Sequence, residues 1–274
     1  MRIDRNSVVI ITGASRGIGR AAAIEFAKRG AKVVVASRDE AKMKEVADRV
    51  REAGGEPMVV ACDVAVEKSC QELAKRTLAR FSRIDILINN AGFGYYSPVE
   101  DLSTEKLDQI FRTNLYGTIW CTQAVLPQMK KQNRGHIVNV STIISGRSIP
   151  FMSAYCMTKF AMRAFDESLR LEVRSHGIGV SHVCPGLTTT DFQTNAVRVE
   201  GSGPPVPNQM GMSPEKVGRA IFRAVERNKR EVTLTMNGKI MLTLQRISPR
   251  LTDAIIALYM RRKMHGTQAA SGTN

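Results

Sequence analysis

Four β-branched residues, Val8-Val-Ile-Ile11, run without a break into Thr12-Gly-Ala-Ser-Arg-Gly-Ile-Gly19. Such a run suits a strand covered on both faces, and the glycines after it demand a tight turn into a helix. Gly13 permits the turn, Gly17 lets backbone approach a phosphate, and Gly19 lets the helix lie against the sheet. The helix is expected from about Ile18 to Arg29, ended by Gly30. Its amino end then directs unpaired N–H groups and a positive dipole at the phosphate position, which Ser15, Arg16 and Ile18 also border.

The alternation continues. Strands are expected at Lys32–Ala36, Pro57–Ala61, Ile84–Asn89, Gly135–Ser141 and Gly177–Cys184. Helices are expected up to Ala53, up to Phe81, over Thr104–Lys131, over Phe151–Ser175 and from a Ser213 cap with Pro214 in its first turn to Asn228. Strands alternating with helices imply parallel pairing with helices on both faces, an α/β doubly wound sheet of the Rossmann type with a short helical carboxyl-terminal extension. At 274 residues and 43% hydrophobic, one domain over residues 1–274 can hold a single large core. Within it, 1–190 form the sheet, 191–212 a loop, and 213–274 helices, a strand and a basic tail.

Tyr155 and Lys159 lie four apart inside the segment expected to be helical. That spacing puts their side chains on one face, about 6 Å apart at Cβ, and a nearby ammonium favours phenolate over phenol. A phenol of ordinary pKa, about 10, exchanges protons poorly at neutral pH, so the pair reads as an acid–base device.

In fixed order the chain carries Thr12-Gly-x-x-x-Gly-x-Gly19, Asp63-Val64, Asn89-Asn-Ala-Gly92, Asn114 in Thr-Asn-Leu-Tyr-Gly117, Tyr155-x-x-x-Lys159 and Pro185-Gly186. Over residues 7 to 190 it resembles the short-chain dehydrogenase/reductase family. The resemblance implies that Tyr155 donates a proton in reduction and accepts one in oxidation. Lys159 then lowers the phenol's pKa and binds the nicotinamide ribose, and Asn114 holds a water linking Lys159 to solvent. Asp63, with Val64, meets the adenine; Asn89, Asn90, Ala91 and Gly92 close the central strand and line the cofactor cleft, as do Pro185, Gly186, Thr188 and Thr190. The family's serine for the substrate oxygen falls thirteen residues before the tyrosine, here Thr142, with Ser141 adjacent. Thr142 is favoured by spacing, since its hydroxyl offers the same donor and acceptor.

At the end of the second strand, NAD enzymes place a carboxylate for the ribose 2′-hydroxyl, whereas this chain has Ser37 and Arg38. Arg38 from one side and Arg16 from the other offer guanidinium donors to a 2′-phosphate, so NADP(H) is the expected cofactor. Asp39 stands one residue late and is expected to cap the following helix.

Phe93, Tyr95, Tyr96, Ile143, Ile144, Ile149, Phe151, Met152 and Phe192 flank the site, which points to an apolar lipid, steroid or acyl-type carbonyl or alcohol. The Gly- and Pro-rich stretch between Asn195 and Met212 carries no helix or strand signal and is expected to close over that substrate. A homodimer or homotetramer is expected. A non-catalytic NADP(H)-binding regulator is the alternative, against which Asn114, Tyr155 and Lys159 count together.

Cys62, Cys70, Cys121, Cys156 and Cys184 are scattered and the four histidines isolated, so no metal site and reduced core thiols are expected. No leader or membrane-spanning segment is recognisable, which fits a cytoplasmic protein. The net charge is +15, and residues 198–274 alone carry 13 basic against 5 acidic residues. Few aromatics interleave with that charge, which argues against nucleic acid. Apolar residues at helical spacing between Ile240 and Met260, flanked by Arg261-Arg-Lys263, instead suit peripheral contact with a membrane surface.

Overall fold

A computed structural model of the chain describes residues 1–202 and 211–271. Its strands are β1 (Val8–Thr12), β2 (Lys32–Ser37), β3 (Glu56–Ala61), β4 (Ile86–Asn89), β5 (Tyr95–Tyr96), β6 (Gly135–Val140), β7 (Ile178–Cys184), β8 (Val197–Arg198) and β9 (Glu231–Thr233). Among the described residues, seven of them form one parallel sheet in the order β3-β2-β1-β4-β6-β7-β9, while β5 and β8 pair separately.

Alternate residues of each strand face opposite sides, and here both sides are apolar. Val9, Ile11, Val33, Val35, Ile86, Ile88 and Val138 pack with helices α1 (Gly17–Ala27), α2 (Glu40–Glu52) and, later in the chain, Pro214–Glu226. Val8, Ile10, Val34, Val60, Leu87, Ile137 and Val180 pack against α3 (Glu67–Phe81) and further helices of the opposite layer. Two cores result, one on each face, which is what the unbroken β-branched runs require.

The expected helix over Thr104–Lys131 is three pieces: α4 (Thr104–Phe111), a π-helical turn at Arg112–Tyr116, and α5 (Gly117–Gln132). The widened turn places Asn114 so that its side chain bonds the backbone of Phe93, a tertiary contact that periodicity cannot announce. Helix α6 runs Ser153–Glu172, shorter than the expected Phe151–Ser175, because Phe151 sits at φ +64° and a 3₁₀ turn takes Arg174–His176. After it come α7 (Pro214–Glu226), α8 (Met236–Ile247) and α9 (Pro249–Ser271). Asp39 caps α2 through the Lys42 N–H and Ser213 caps α7 through the Lys216 N–H, both as the sequence suggests.

The stretch after Asn195 is not wholly irregular. Val197–Arg198 pairs with Tyr95–Tyr96, and the Arg198 guanidinium stacks 3.8 Å from the Tyr96 ring centroid. A two-residue ladder anchored by a cation–π contact lies below what sequence alternation can signal. The remainder of that Gly/Pro stretch, 203–210, lies outside the described residues.

α7 packs on α1, with Phe222 edge-on to Phe26 at 5.3 Å. α8 and α9 carry Met236, Ile240, Ile247, Leu251, Ile255, Leu258 and Tyr259 on exposed positions. No helix among the described residues is long and apolar enough to cross a membrane.

Asp85 ties β1 to β4 at their amino ends. Its buried carboxylate accepts the Val8 N–H at 2.9 Å and a two-pronged Arg83 guanidinium at 2.8 and 2.6 Å. Removing it strands a buried N–H and part of a paired charge. We therefore expect Asp85→Ala to lose about 2–3 kcal/mol of unfolding free energy in urea titrations, and a loss below about 0.5 kcal/mol would contradict this role.

Candidate active site

The strand order reverses between β1 and β4, so the helices after them leave to opposite faces and a crevice opens at their carboxyl ends. Several short contacts shape it. Asn90 Nδ2 donates to the carbonyls of Thr12 and Gly13 at 3.0 and 3.1 Å, and Thr12 Oγ1 accepts the N–H groups of Asn90 and Ala91 at 3.0 and 3.2 Å. Gly13 has φ +62°, and a Cβ on Gly19 would stand 2.4 Å from the Gly13 carbonyl oxygen. Both positions therefore admit only glycine at this separation. The first turn of α1 holds no acidic residue, and its Arg16 N-cap makes no side-chain bond to it, so the N–H groups there face the crevice uncapped.

One cavity of about 680 Å³ occupies the crevice. Of the catalytic and cofactor residues nominated from sequence, all but Gly19, Asn89 and Asn114 line it, from Gly13, Ser15, Arg16, Gly17, Ile18, Ser37, Arg38, Asp63 and Val64 to Asn90, Ala91, Gly92, Ser141, Thr142, Tyr155, Lys159, Pro185, Gly186, Thr188 and Thr190. Gly19 lies beneath the Gly13 carbonyl. Asn114 is fully buried, with Oδ1 accepting the Phe93 N–H at 3.0 Å and Nδ2 donating to the Phe93 carbonyl at 2.9 Å. Asn89 also turns away from the cavity, its amide bonding Asn139 at 2.8 Å inside the sheet.

Tyr155 and Lys159 share a face of α6, with Lys159 Nζ 5.8 Å from the Tyr155 ring centroid. Lys159 is buried and donates to the Val140 carbonyl at 3.0 Å. Burial draws its pKa down to about 8, opposed by the Asp166 carboxylate seven residues on. The phenol departs from the sequence expectation: burial pushes the Tyr155 pKa up, and buried neighbouring groups, Cys156 first, reinforce it. With the ammonium engaged by the Val140 carbonyl, desolvation prevails and the phenol holds its proton. Beside them, the Ser141 hydroxyl is buried with no hydrogen-bond partner among the described residues, and Thr142 follows in extended conformation.

At the opposite end stand two cations. Arg38 is 80% exposed at its side chain, its Nη1 3.9 Å from Asp63, and Arg16 Nη1 lies 3.8 Å from Asp191. The Ser37 and Ser15 hydroxyls bond at 3.1 Å between them. The Asp39 carboxylate accepts the Lys42 N–H in its cap.

Phe93, Tyr96, Ile143, Ile144, Ile149, Met152 and Phe192 line the cavity near Tyr155, with the Phe192 ring 5.7 Å edge-on to the tyrosine. Tyr95 and Phe151 do not; Tyr95 belongs to the core beneath. Sequence reading missed Gln109, Thr113 and Leu187 on the wall, while Gln193, Asn195 and Val197, also there, belong to the 191–212 segment expected over the substrate. Gln193 accepts the Tyr96 hydroxyl proton at 2.8 Å. The pairing of β5 with β8 holds the segment of Gln193, Asn195 and Val197 over the cleft, whereas Gln109 and Thr113 come from α4 and the π turn. Cys156 is buried beside Tyr155, and all five cysteines are buried and free.

The arrangement can cradle a phosphate-rich ligand at one end and hold an apolar molecule against a protonated phenol at the other. Comparison with known proteins gives the family. The short chain dehydrogenase family model matches residues 7–200. A rat protein, dehydrogenase/reductase SDR family member 7B, is 36% identical over 269 residues, covering 94% of this chain and 83% of its own length. Among solved structures, a short chain dehydrogenase/reductase of Burkholderia phymatum in complex with NAD superposes with a TM-score of 0.83 at 26% identity, covering 92% of this chain and 96% of its own. An alcohol dehydrogenase of Thermococcus sibiricus complexed with 5-hydroxy-NADP gives 0.73 at 29% identity, over 83% and 95%.

Proposed function

This chain belongs to the short-chain dehydrogenase family of nicotinamide-dependent oxidoreductases, and we propose that it interconverts a carbonyl and a secondary alcohol on an apolar lipid, steroid or acyl-type substrate with NADP(H). The observation that carries the reading is the meeting of Tyr155, Lys159, Ser141 and Thr142 in one cavity with the uncapped amino end of α1.

The residues present fit the cofactor. The glycine turn leaves backbone N–H groups for a pyrophosphate, and Asp63 stands for the adenine. Arg38 and Arg16, with Ser37 and Ser15, suit a 2′-phosphate, while Asp39, the carboxylate that follows Arg38, is engaged in its cap. When bound, NADPH supplies a hydride to the substrate carbon. Thr142, with Ser141 beside it, orients the substrate oxygen, and Tyr155 gives that oxygen its proton; the reverse oxidation uses the same groups with the phenol as acceptor. Lys159 holds positive charge beside the phenol and the ribose, and Asn114 fixes Phe93 on the substrate wall as well as serving a water relay. Phe93, Ile144, Ile149, Met152 and Phe192 exclude water and favour an apolar chain. The whole chain acts as one catalytic unit, with 191–212 closing over the substrate and a homodimer or homotetramer as the working form. The exposed apolar stripe of α8 and α9, flanked by Lys239, Arg246, Arg250 and Arg261, suits peripheral contact with an anionic membrane surface.

NADPH oxidation over a panel of lipid and steroid ketones and aldehydes should give turnover that falls about 10²–10⁴-fold in Tyr155→Phe with cofactor binding kept; undiminished turnover in the variant rejects the assignment. In the same assay Arg38→Asp should weaken NADP(H) far more than NAD(H), and equal loss for both would discard the 2′-phosphate site. Co-sedimentation with phosphatidylserine vesicles should be salt-sensitive and reduced in Ile247→Asn/Leu251→Asn/Leu258→Asn; absence of binding by the wild type removes the membrane contact.

A further inference from the structure

Behind the cavity wall, a line of buried polar side chains crosses the sheet. Asn89 bonds Asn139, and Asn139 donates to Asp166 on α6. Asp166 Oδ2 lies 2.5 Å from His182 Nδ1 on β7, and His182 Nε2 lies 3.1 Å from the Ser145 hydroxyl. Ser145 Oγ in turn donates to the Thr142 carbonyl at 2.8 Å, alongside the backbone bond from the Ser145 N–H at 3.1 Å. Asp166, His182 and Ser145 are all at or below 2% exposure and none lines the cavity, so this acid–base–hydroxyl series meets no substrate.

Ser145 Oγ also lies 3.7 Å from Cys184 Sγ. With the Ser145 proton on the Thr142 carbonyl, His182 Nε2 is left to donate a hydrogen to Ser145. Nδ1 faces a carboxylate at 2.5 Å, so a proton lies between them as well. The pair therefore holds one proton more than a neutral imidazole beside a carboxylate. If that proton left, Nε2 would become an acceptor, the Ser145 hydroxyl would turn to it, and the Thr142 carbonyl would lose that bond.

We propose that Asp166, His182 and Ser145 are positioning residues that lock the turn carrying Thr142, and through it the hydroxyl that orients the substrate oxygen; this rests on the reaction proposed above. The groups facing His182 are Asp166 from α6, Ser145 from the turn, Cys184 on its own strand and Glu231 from β9, whose charge Arg163 neutralises at 2.9 and 3.0 Å. Lys159 and Arg170 also interact electrostatically with Asp166. Burial opposes a charged imidazole, but the bond to Asp166 and the neighbouring Cys184 outweigh it and raise the His182 pKa to about 9. A folded pKa above the unfolded value of about 6.5 means the lock is complete below that pH and is lost as pH rises through about 9.

Two measurements on the whole protein test this. In ¹⁵N-histidine spectra of the wild type, His182 should carry protons on both ring nitrogens at pH 7 and titrate near pH 9; a midpoint at or below about 6.5 overturns the lock. In a double-mutant cycle, Ser145→Ala should lower kcat about five- to tenfold with KM for NADPH within about twofold, and should lower it less than about twofold further in a Thr142→Ala background. Additive losses, or none, in a protein that turns over refute the positioning role alone. Absence of wild-type turnover refutes the reaction and the role together, while the histidine titration still reports whether the proton is held.

Discussion

Everything at the site depends on the reversal of strand order between β1 and β4. Because a parallel strand must be followed by a helix that crosses one face, two neighbouring strands whose helices leave to opposite faces cannot both be covered at their carboxyl ends. The gap is held to a fixed width by backbone and amide contacts rather than by side-chain bulk. Asn90 reaches across from β4 to the carbonyls of Thr12 and Gly13, and Thr12 returns two bonds. Gly19 allows α1 to start directly beneath that seam.

Burial then governs the chemistry available there. The same desolvation that raises the Tyr155 phenol lowers the Lys159 ammonium to about 8, so two groups that are close in proton affinity when free in water are driven apart. The phenol stays protonated and is a weaker acid there than a tyrosine in water. Behind the wall the balance differs. There a carboxylate is close enough to His182 to offset burial, and the imidazole keeps its charge. Two buried bases, Lys159 in the cavity wall and His182 behind it, thus shift in opposite directions, and the difference is whether a carboxylate lies in direct contact.

Much of this was legible in residue order. Six of the sheet's seven strands, the glycine turn, the helix caps at Asp39 and Ser213, and the face shared by Tyr155 and Lys159 all follow from short-range rules, because each depends on residues within about four of one another. Misreadings came where distant segments meet. The π turn at Arg112–Tyr116 exists in company with the Asn114–Phe93 bonds, twenty-one residues apart. The β5–β8 ladder joins residues about a hundred apart and carries Gln193, Asn195 and Val197 onto the substrate wall. Nothing local in either segment foretells its partner.

By itself the sequence determined which residues could form strands and helices and which chemical groups were available, since propensity, periodicity and glycine geometry are properties of neighbouring residues. Only the tertiary structure decided their ionisation and their company. It buried the phenol and ammonium together, turned Asn89 and Asn114 inward, and brought Asp166, His182 and Ser145 from a helix, a strand and a turn into one hydrogen-bonded line. Desolvation and hydrogen bonding between distant segments exist only once the chain has closed on itself, which is why no pattern along it could contain them.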